Sequence, residues 1–448
     1  MKTDKYRRLL SCCPSLLDAA DKTANDKNGA LKNNIPAQVT AYVTAPVLFC
    51  YVCYILDSVK KNNINRIFFL SRDGYILKQI ADIIIERKKL KIQTSYLYVS
   101  RYSLRNALYY KCETAEDFEN AGLFTGYTLK SAKNFLKRAG LNDCQRVEVY
   151  KEIGFSDDEN KDLGDSEYSA FCENIKNDPA LLCKIKNNSE NNYHNIMKYF
   201  EQSGLFEKGK IAVVDSGWMG TVQKTLTALV NGRTDENIIG YYFGLYRRED
   251  DNYKAFLFDV TDAYKYVPTF CNNLFECFCS APHGMTTGYR ECDGKIIPVL
   301  SDANAEMVKM AEIQTKTAVR FTEYACKNEN YIPICKMRDI SAGLLKALMY
   351  KPDKQEAEIL GAFPFSDDVT EAKIQRLAGN CKGSISNILL PVRIIRKKKG
   401  KSIYPDKYIY WLYGSIVLTG CKPAWVYRLS VREWERLRLL RERRKLCR

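Results

Sequence analysis

The hydrophobic pattern of the chain changes period most clearly at residues 65–84. Ile67-Phe-Phe-Leu70 is an uninterrupted apolar run, as expected of a strand covered on both faces in a parallel sheet. It breaks at Ser71-Arg72-Asp73-Gly74. Ile76, Leu77, Ile80, Ile83 and Ile84 then recur at helical spacing. The same order returns downstream: Ile211-Ala-Val-Val214 predicts a second buried strand, Asp215 to Thr221 a turn, and Val222 to Leu229 a helix. Two more runs, Ser95–Ser100 and Ile238–Tyr246, read as strands. Helices separating buried strands predict an α/β fold, a mostly parallel, Rossmann-like sheet with right-handed crossovers.

The flanks are patterned differently. Residues 1–33 are polar and lysine-rich and read as a loosely attached, flexible leader. Residues 34–105 and 206–300 supply the two parts of the α/β core. Asn33 to Leu56 carries no charge, which raises a membrane span, but Pro36, Pro46 and the interspersed threonines favour a buried helix starting near Pro46. Residues 106–205 lack strand signals and predict a helical insertion, a cap or lid over the sheet. Residues 301–390 read as a helical region, with one helix opening at Lys351-Pro352-Asp353. Residues 391–448 form a basic, aromatic tail, read either as an interfacial segment or as a helix docked on its own domain.

Composition narrows the class. The chain has 448 residues, 46% hydrophobic and 27% charged, as in folded globular proteins. Its 17 cysteines lack regular spacing, which argues for a reducing cytoplasm rather than a disulfide scaffold. Cys50 and Cys53 are read as buried thiols. The net charge of +16 calls for an anionic partner. No nucleic-acid-binding motif is present, so nucleic acid is the weaker choice; a phosphorylated substrate or an anionic membrane surface reached through residues 393–448 is favoured.

Candidate chemistry gathers at the predicted strand ends, where helix N-termini open onto a crevice. Ser71, Gly74, Gly220 and Thr221 are expected to cradle phosphate, while Arg72 and Arg101 grip it. Asp73 and Asp215 are candidates for acid–base work or for a divalent ion such as Mg2+, with Asp215 the candidate ligand. Trp218 is expected to stack on a sugar or base. His283, in a Pro-His-Gly loop, is a third catalytic candidate.

The segments Phe69–Tyr75, Tyr96–Arg101, Val213–Gln223 and Phe278–Gly284 occur in this order in a bacterial family. The chain resembles the predicted HAD-superfamily hydrolase-like proteins encoded beside glycosyltransferases in capsule and O-antigen clusters. The Phe365-Ser366-Asp367-Asp368 and Trp411…Gly414-Ser415 stretches fit as well. Tyr75, Ser100, Ser216, Gly217, Gln223 and Glu276, within or beside these motifs, complete the candidate substrate contacts. The likeness covers the family's C-terminal module; its N-terminal Asp-x-Asp nucleophile has no counterpart here, so aspartyl-phosphate chemistry is not implied. What the resemblance implies is a role in surface-polysaccharide biosynthesis. A phosphorylated sugar or nucleotide-sugar would be the ligand, acted on by a hydrolase or transferase. The alternative is a non-catalytic adaptor that docks glycosyltransferases or the membrane through the tail.

Overall fold

The computed structural model describes residues 3–26, 34–125, 130–152, 160–234, 238–327, 332–366, 374–405 and 409–446. Asp367, Asp368 and Tyr408 lie outside them. The protein is a mixed α/β structure built on a five-stranded, all-parallel sheet. Its strands are β1 (Arg66–Leu70), β2 (Gln93–Leu97), β3 (Ile211–Trp218), β4 (Ile239–Leu245) and β5 (Tyr253–Phe258), in spatial order 2-1-3-4-5. Phe69 pairs with Tyr96 of β2 on one side and Val214 of β3 on the other.

Alternating side chains explain the apolar runs. Ile67, Phe69, Ala212 and Val214 enter one core, with helices Ala45–Lys61 and Gly74–Lys88. Phe68, Leu70, Ile211 and Val213 enter a second, with helices Arg101–Leu108, Pro179–Gln202 and Thr221–Val230. A central strand buried on both faces cannot spare a polar position, hence the absence of alternation in its sequence. Between β2 and β3 the helices also build a core of their own around Phe118, Phe135 and Phe171.

Several elements differ from expectation. The uncharged stretch is helical from Ile35, not from Pro46, and it is buried. Pro46 cannot donate a backbone hydrogen bond, and the ladder ahead of it widens into a π-turn over Thr40–Thr44, where Ala45 N–H reaches the Thr40 carbonyl. Among the described residues Ile35–Lys61 is the one helix long and apolar enough to cross a membrane. The first residues are no loose leader. Helices Asp4–Leu10 and Pro14–Ala24 bury Tyr6, Leu10 and Leu16. Tyr6 also donates to Glu356 Oε1 at 2.6 Å, and Lys5 pairs with Oε2 at 2.6 Å.

β3 runs on through Asp215–Trp218, which were expected to turn. The strand β5 and the antiparallel hairpin β6 (Thr286–Cys292) with β7 (Lys295–Leu300) carried no recognised signal. Asp293 and Gly294, both at positive φ, make the hairpin's turn. The late helix spans Lys354–Gly361, with Asp353 as its N-cap in a reciprocal capping box with Glu356. The tail folds back: Trp411 is buried and its indole N–H donates to the Met349 carbonyl, while Tyr413 donates to the Pro268 carbonyl at 2.5 Å.

Candidate active site

Strand order reverses between β1 and β3. Chains leaving these two strands diverge to opposite faces of the sheet, which opens a crevice beyond their carboxyl ends. A cavity of about 400 Å³ lies there, lined among others by Arg72, Asp73, Arg101, Arg105, Asp215 and Thr221. A second lobe of about 320 Å³ shares Arg72, Asp73, Glu276 and Ser366 with it and reaches His283.

Asp73 ends the loop after β1 and stands at the N-cap of helix Gly74–Lys88. Asp215 lies within β3. Ser216 ties the two together: its backbone N–H donates to Asp215 Oδ1 at 2.8 Å, and its hydroxyl donates to Asp73 Oδ2. Both carboxyls sit above the ordinary carboxylate range. Burial is the main cause for each, and the neighbouring Asp73 charge pushes Asp215 further. The Ser216 hydroxyl, Arg72 and Arg101 pull Asp73 back down. Asp215 is therefore the group that keeps its proton, and Asp73 the one that loses it first.

Arg101 and Arg105 lie one turn apart on helix Arg101–Leu108, and Arg72 faces the cavity from the β1 loop. Thr221 opens helix Thr221–Val230, and its hydroxyl has no partner among the described residues. Gly220 precedes it at φ +64°, where a Cβ would also strike the Tyr253 ring.

His283 and Tyr96 are joined by a hydrogen bond of 2.8 Å at Nε2, and His283 Nδ1 lies 2.8 Å from the Gly284 carbonyl. A carbonyl only accepts, so Nδ1 carries the hydrogen. In the neutral ring Nε2 then accepts from the Tyr96 hydroxyl. Burial lowers the pKa of His283 below the ordinary imidazole value. Tyr75 and Tyr98 pack around the pair.

Other expected contacts have internal work instead. The Ser71 hydroxyl donates to the Val99 carbonyl at 2.7 Å and accepts from Val99 N–H at 3.0 Å, so it clamps the β1 and β2 loops rather than a phosphate. Gly74 is a packing glycine, since a Cβ there would lie 2.7 Å from the Phe69 backbone. Ser100 caps helix Arg101–Leu108 and donates to the Thr286 carbonyl at 2.6 Å. Gly217 lets β3 approach β4, where a Cβ would meet the Gly244 carbonyl oxygen. Gln223 is fully buried, donating to the Ile238 carbonyl and accepting from the Tyr242 hydroxyl. It is a core residue, not a substrate contact.

Trp218 is largely committed to the fold: its indole packs among Phe258, Phe270 and Phe275 and donates to Glu276 Oε1 at 2.6 Å, while the little of it that stays exposed lines the cavity. Glu276 does line both lobes. Met285, Thr286 and Asn272 line the cavity without having been anticipated; helix Asn272–Phe278 delivers the last, and the β6–β7 hairpin the other two. His194 lies exposed on its helix, near Glu190.

Among the described residues no three His, Cys, Asp or Glu side chains form a group that could hold a metal. Asp73 and Asp215 do not make a cation site by themselves, and no step is assigned to Mg2+. Cys50 and Cys53 are buried, and burial pushes Cys53 up to about 12, which leaves it an unreactive thiol. No family model matches this chain, and a search of curated proteins found none similar to it.

Proposed function

We propose that the cleft at the β1–β3 reversal binds a phosphorylated sugar or nucleotide-sugar and that Asp215 and Asp73 act on it as an acid–base pair. The observation that carries this reading is the opposition of three guanidinium groups, from Arg72, Arg101 and Arg105, to two half-buried carboxyls bridged by Ser216. Guanidinium groups suit phosphate oxygens bidentately. A protonated Asp215 does not repel such an anion and has a proton to give to a leaving oxygen. Asp73, ionised first, would take a proton from water or an acceptor hydroxyl. Thr221 adds a free hydroxyl and a helix N-terminus. A Rossmann-like sheet is supported by the parallel strands in order 2-1-3-4-5. The family resemblance supports a hydrolase or transferase in cytoplasmic surface-polysaccharide assembly.

Thermal stability against sugar phosphates, nucleotide sugars and phosphoribosyl pyrophosphate, with and without Mg2+, tests this. A ligand at a hundred times its Kd stabilises by about 2.7 kcal/mol. The shift should vanish in Arg72→Ala and Arg101→Ala and shrink in Thr221→Val. Asp215→Asn should keep binding and lose turnover. Equal shifts in the arginine variants would remove the cleft from consideration.

The adaptor reading has an observation of its own. Ile394, Ile395 and Trp425 are exposed, the last at 65%, and Arg396 to Lys401 lie beside the first two in sequence. This pattern supports contact with an anionic membrane face. Point changes isolate this surface, whereas a truncation after Arg393 would strip Trp411 and Tyr413 from the core. Ile394→Ser with Trp425→Ser should abolish sedimentation with anionic vesicles and leave the fold intact; unchanged sedimentation would exclude this surface.

A further inference from the structure

A second cavity, of about 490 Å³, lies away from the cleft, on the β5 side of the sheet. Three elements frame it: residues 264–270 after β5, helix Ile334–Met349, and the C-terminal helix Ala424–Leu446. Its wall is apolar, from Leu257, Tyr266, Phe270 and Leu345. Four cations close it, Lys265, Lys346, Arg432 and Arg436, and no acid is among its lining residues.

Neutralisation of these cations is incomplete. Glu433 takes Arg432 at 2.6 Å and reaches Arg436 at 3.8 Å. Lys265 and Lys346 have no ion pair among the described residues, and Lys265 sits 5.7 Å from the centre of the Tyr264 ring. Beyond the rim, Asp262 is already engaged with Arg338. Four positive groups against one carboxylate are a net repulsive arrangement unless an anion is shared between them.

We propose that this cavity is a binding site for an anion carried on an apolar body, a phosphate monoester of an alkyl or isoprenoid type. The phosphate would lie among Lys346, Arg436 and Lys265, and the hydrocarbon along Leu345, Phe270 and Tyr266. An apolar wall with convergent cations at one end selects for both halves of such a molecule, and neither inorganic phosphate nor a neutral alcohol satisfies both. Two of the tail's arginines therefore serve a pocket rather than a surface. The site is independent of the acid–base cleft.

The test is calorimetric titration of the full chain with octyl phosphate, octanol and inorganic phosphate. In parallel, sedimentation uses phosphatidylcholine vesicles with and without phosphatidic acid. Octyl phosphate should bind at least tenfold tighter than either fragment. Removing Lys346 and Arg436, both exposed and so dispensable for folding, should weaken it by about tenfold each, the usual worth of a charge-assisted hydrogen bond. Arg72→Ala should leave it unchanged, which separates this site from the cleft. Loss of phosphatidic-acid vesicle binding in Lys346→Ala/Arg436→Ala would identify a membrane lipid as the source of the ligand; retained vesicle binding with lost octyl phosphate binding would identify a soluble monoester. Octanol binding as well as octyl phosphate, or a double variant that binds like the parent, would overturn the proposal.

Discussion

Asp215→Asn tests the electrostatics of the cleft without any knowledge of the ligand. Asp215 has its pKa raised well above 3.8 by burial and by Asp73. A group whose folded pKa is raised contributes stability that is fully present below its unfolded pKa. That stability is lost as pH rises toward the folded value, because the unfolded chain releases the proton and the folded chain holds it. Each pH unit across that window costs about 1.4 kcal/mol. Unfolding entropy of about 2.1 cal/mol/K per residue, over 448 residues, converts this to roughly 1.5 °C of melting temperature per pH unit. Asparagine does not titrate, and its side-chain oxygen can still accept from Ser216 N–H. The variant should therefore match the parent near pH 4 and gain on it by about 1.5 °C per unit above that, until Asp215 itself ionises. Melting curves of both proteins from pH 4 to pH 8 give the answer. A difference in melting temperature that stays flat across this range would mean that Asp215 ionises like an ordinary carboxylate, and the acid assigned to it would go with it.

Gln223→Ala orphans the Ile238 carbonyl and the Tyr242 hydroxyl inside the sheet and should cost about 2–4 kcal/mol. Urea unfolding would record this, with ligand affinity unmoved at temperatures where the variant is folded. Tyr6→Phe removes a buried hydrogen bond to Glu356 and should cost about 1.5–3 kcal/mol; a melting temperature equal to the parent's would show that this hydrogen bond does not hold the first helix in place. The chain has two histidines, so nitrogen NMR assigned through a His194 variant can read His283 directly. Its Nδ1 should carry the hydrogen at neutral pH, and the ring should titrate below the ordinary imidazole value. A hydrogen on Nε2 would break the Tyr96 arrangement.

Local grammar made the two βα loops visible. Ile67–Leu70 and Ile211–Val214 are apolar because both faces of the sheet are covered, and each run then ends at polar residues, in a turn after β1 and at Asp215 still within β3. Asp73, Asp215, Arg72 and Arg101 were accessible to reading for that reason: they follow a strand that the sequence marks. The roles that misled share another cause. Ser71, Trp218 and Gln223 lie at or just beyond the ends of those apolar runs and have the chemistry of ligand contacts, yet their partners are Val99, Glu276 and Tyr242. Whether a polar side chain serves the ligand or the fold is decided by residues far away in sequence. The same holds for Glu356, whose partner Tyr6 is 350 residues distant, and for His283, paired with Tyr96.

The hairpin was missed differently, because its signal was present. Asp293-Gly294 between Thr286–Cys292 and Lys295–Leu300 is the residue pair a two-residue turn with positive φ demands. Recognising it would have placed Thr286 and Met285 beside the cleft, since β6 packs on helix Arg101–Leu108 and Ser100 donates to the Thr286 carbonyl. That contact gives Arg101 and Arg105 a braced helix. Cations held on a braced helix bind a phosphate with less ordering cost than cations on a loop. Thr286→Pro would put the ring at the end of β6, and Thr287→Pro would remove an N–H near the same brace. Of the two, only a change that loosens Ser100 should weaken ligand-induced stabilisation while leaving the Asp215 pH dependence in place. Ser100→Ala makes that change most simply, since it removes both the helix cap and the tie to β6 at a cost of about 1 kcal/mol. If ligand-induced stabilisation in Ser100→Ala equals the parent's, the brace does not hold the arginines for the anion, and helix Arg101–Leu108 is only a wall of the cleft.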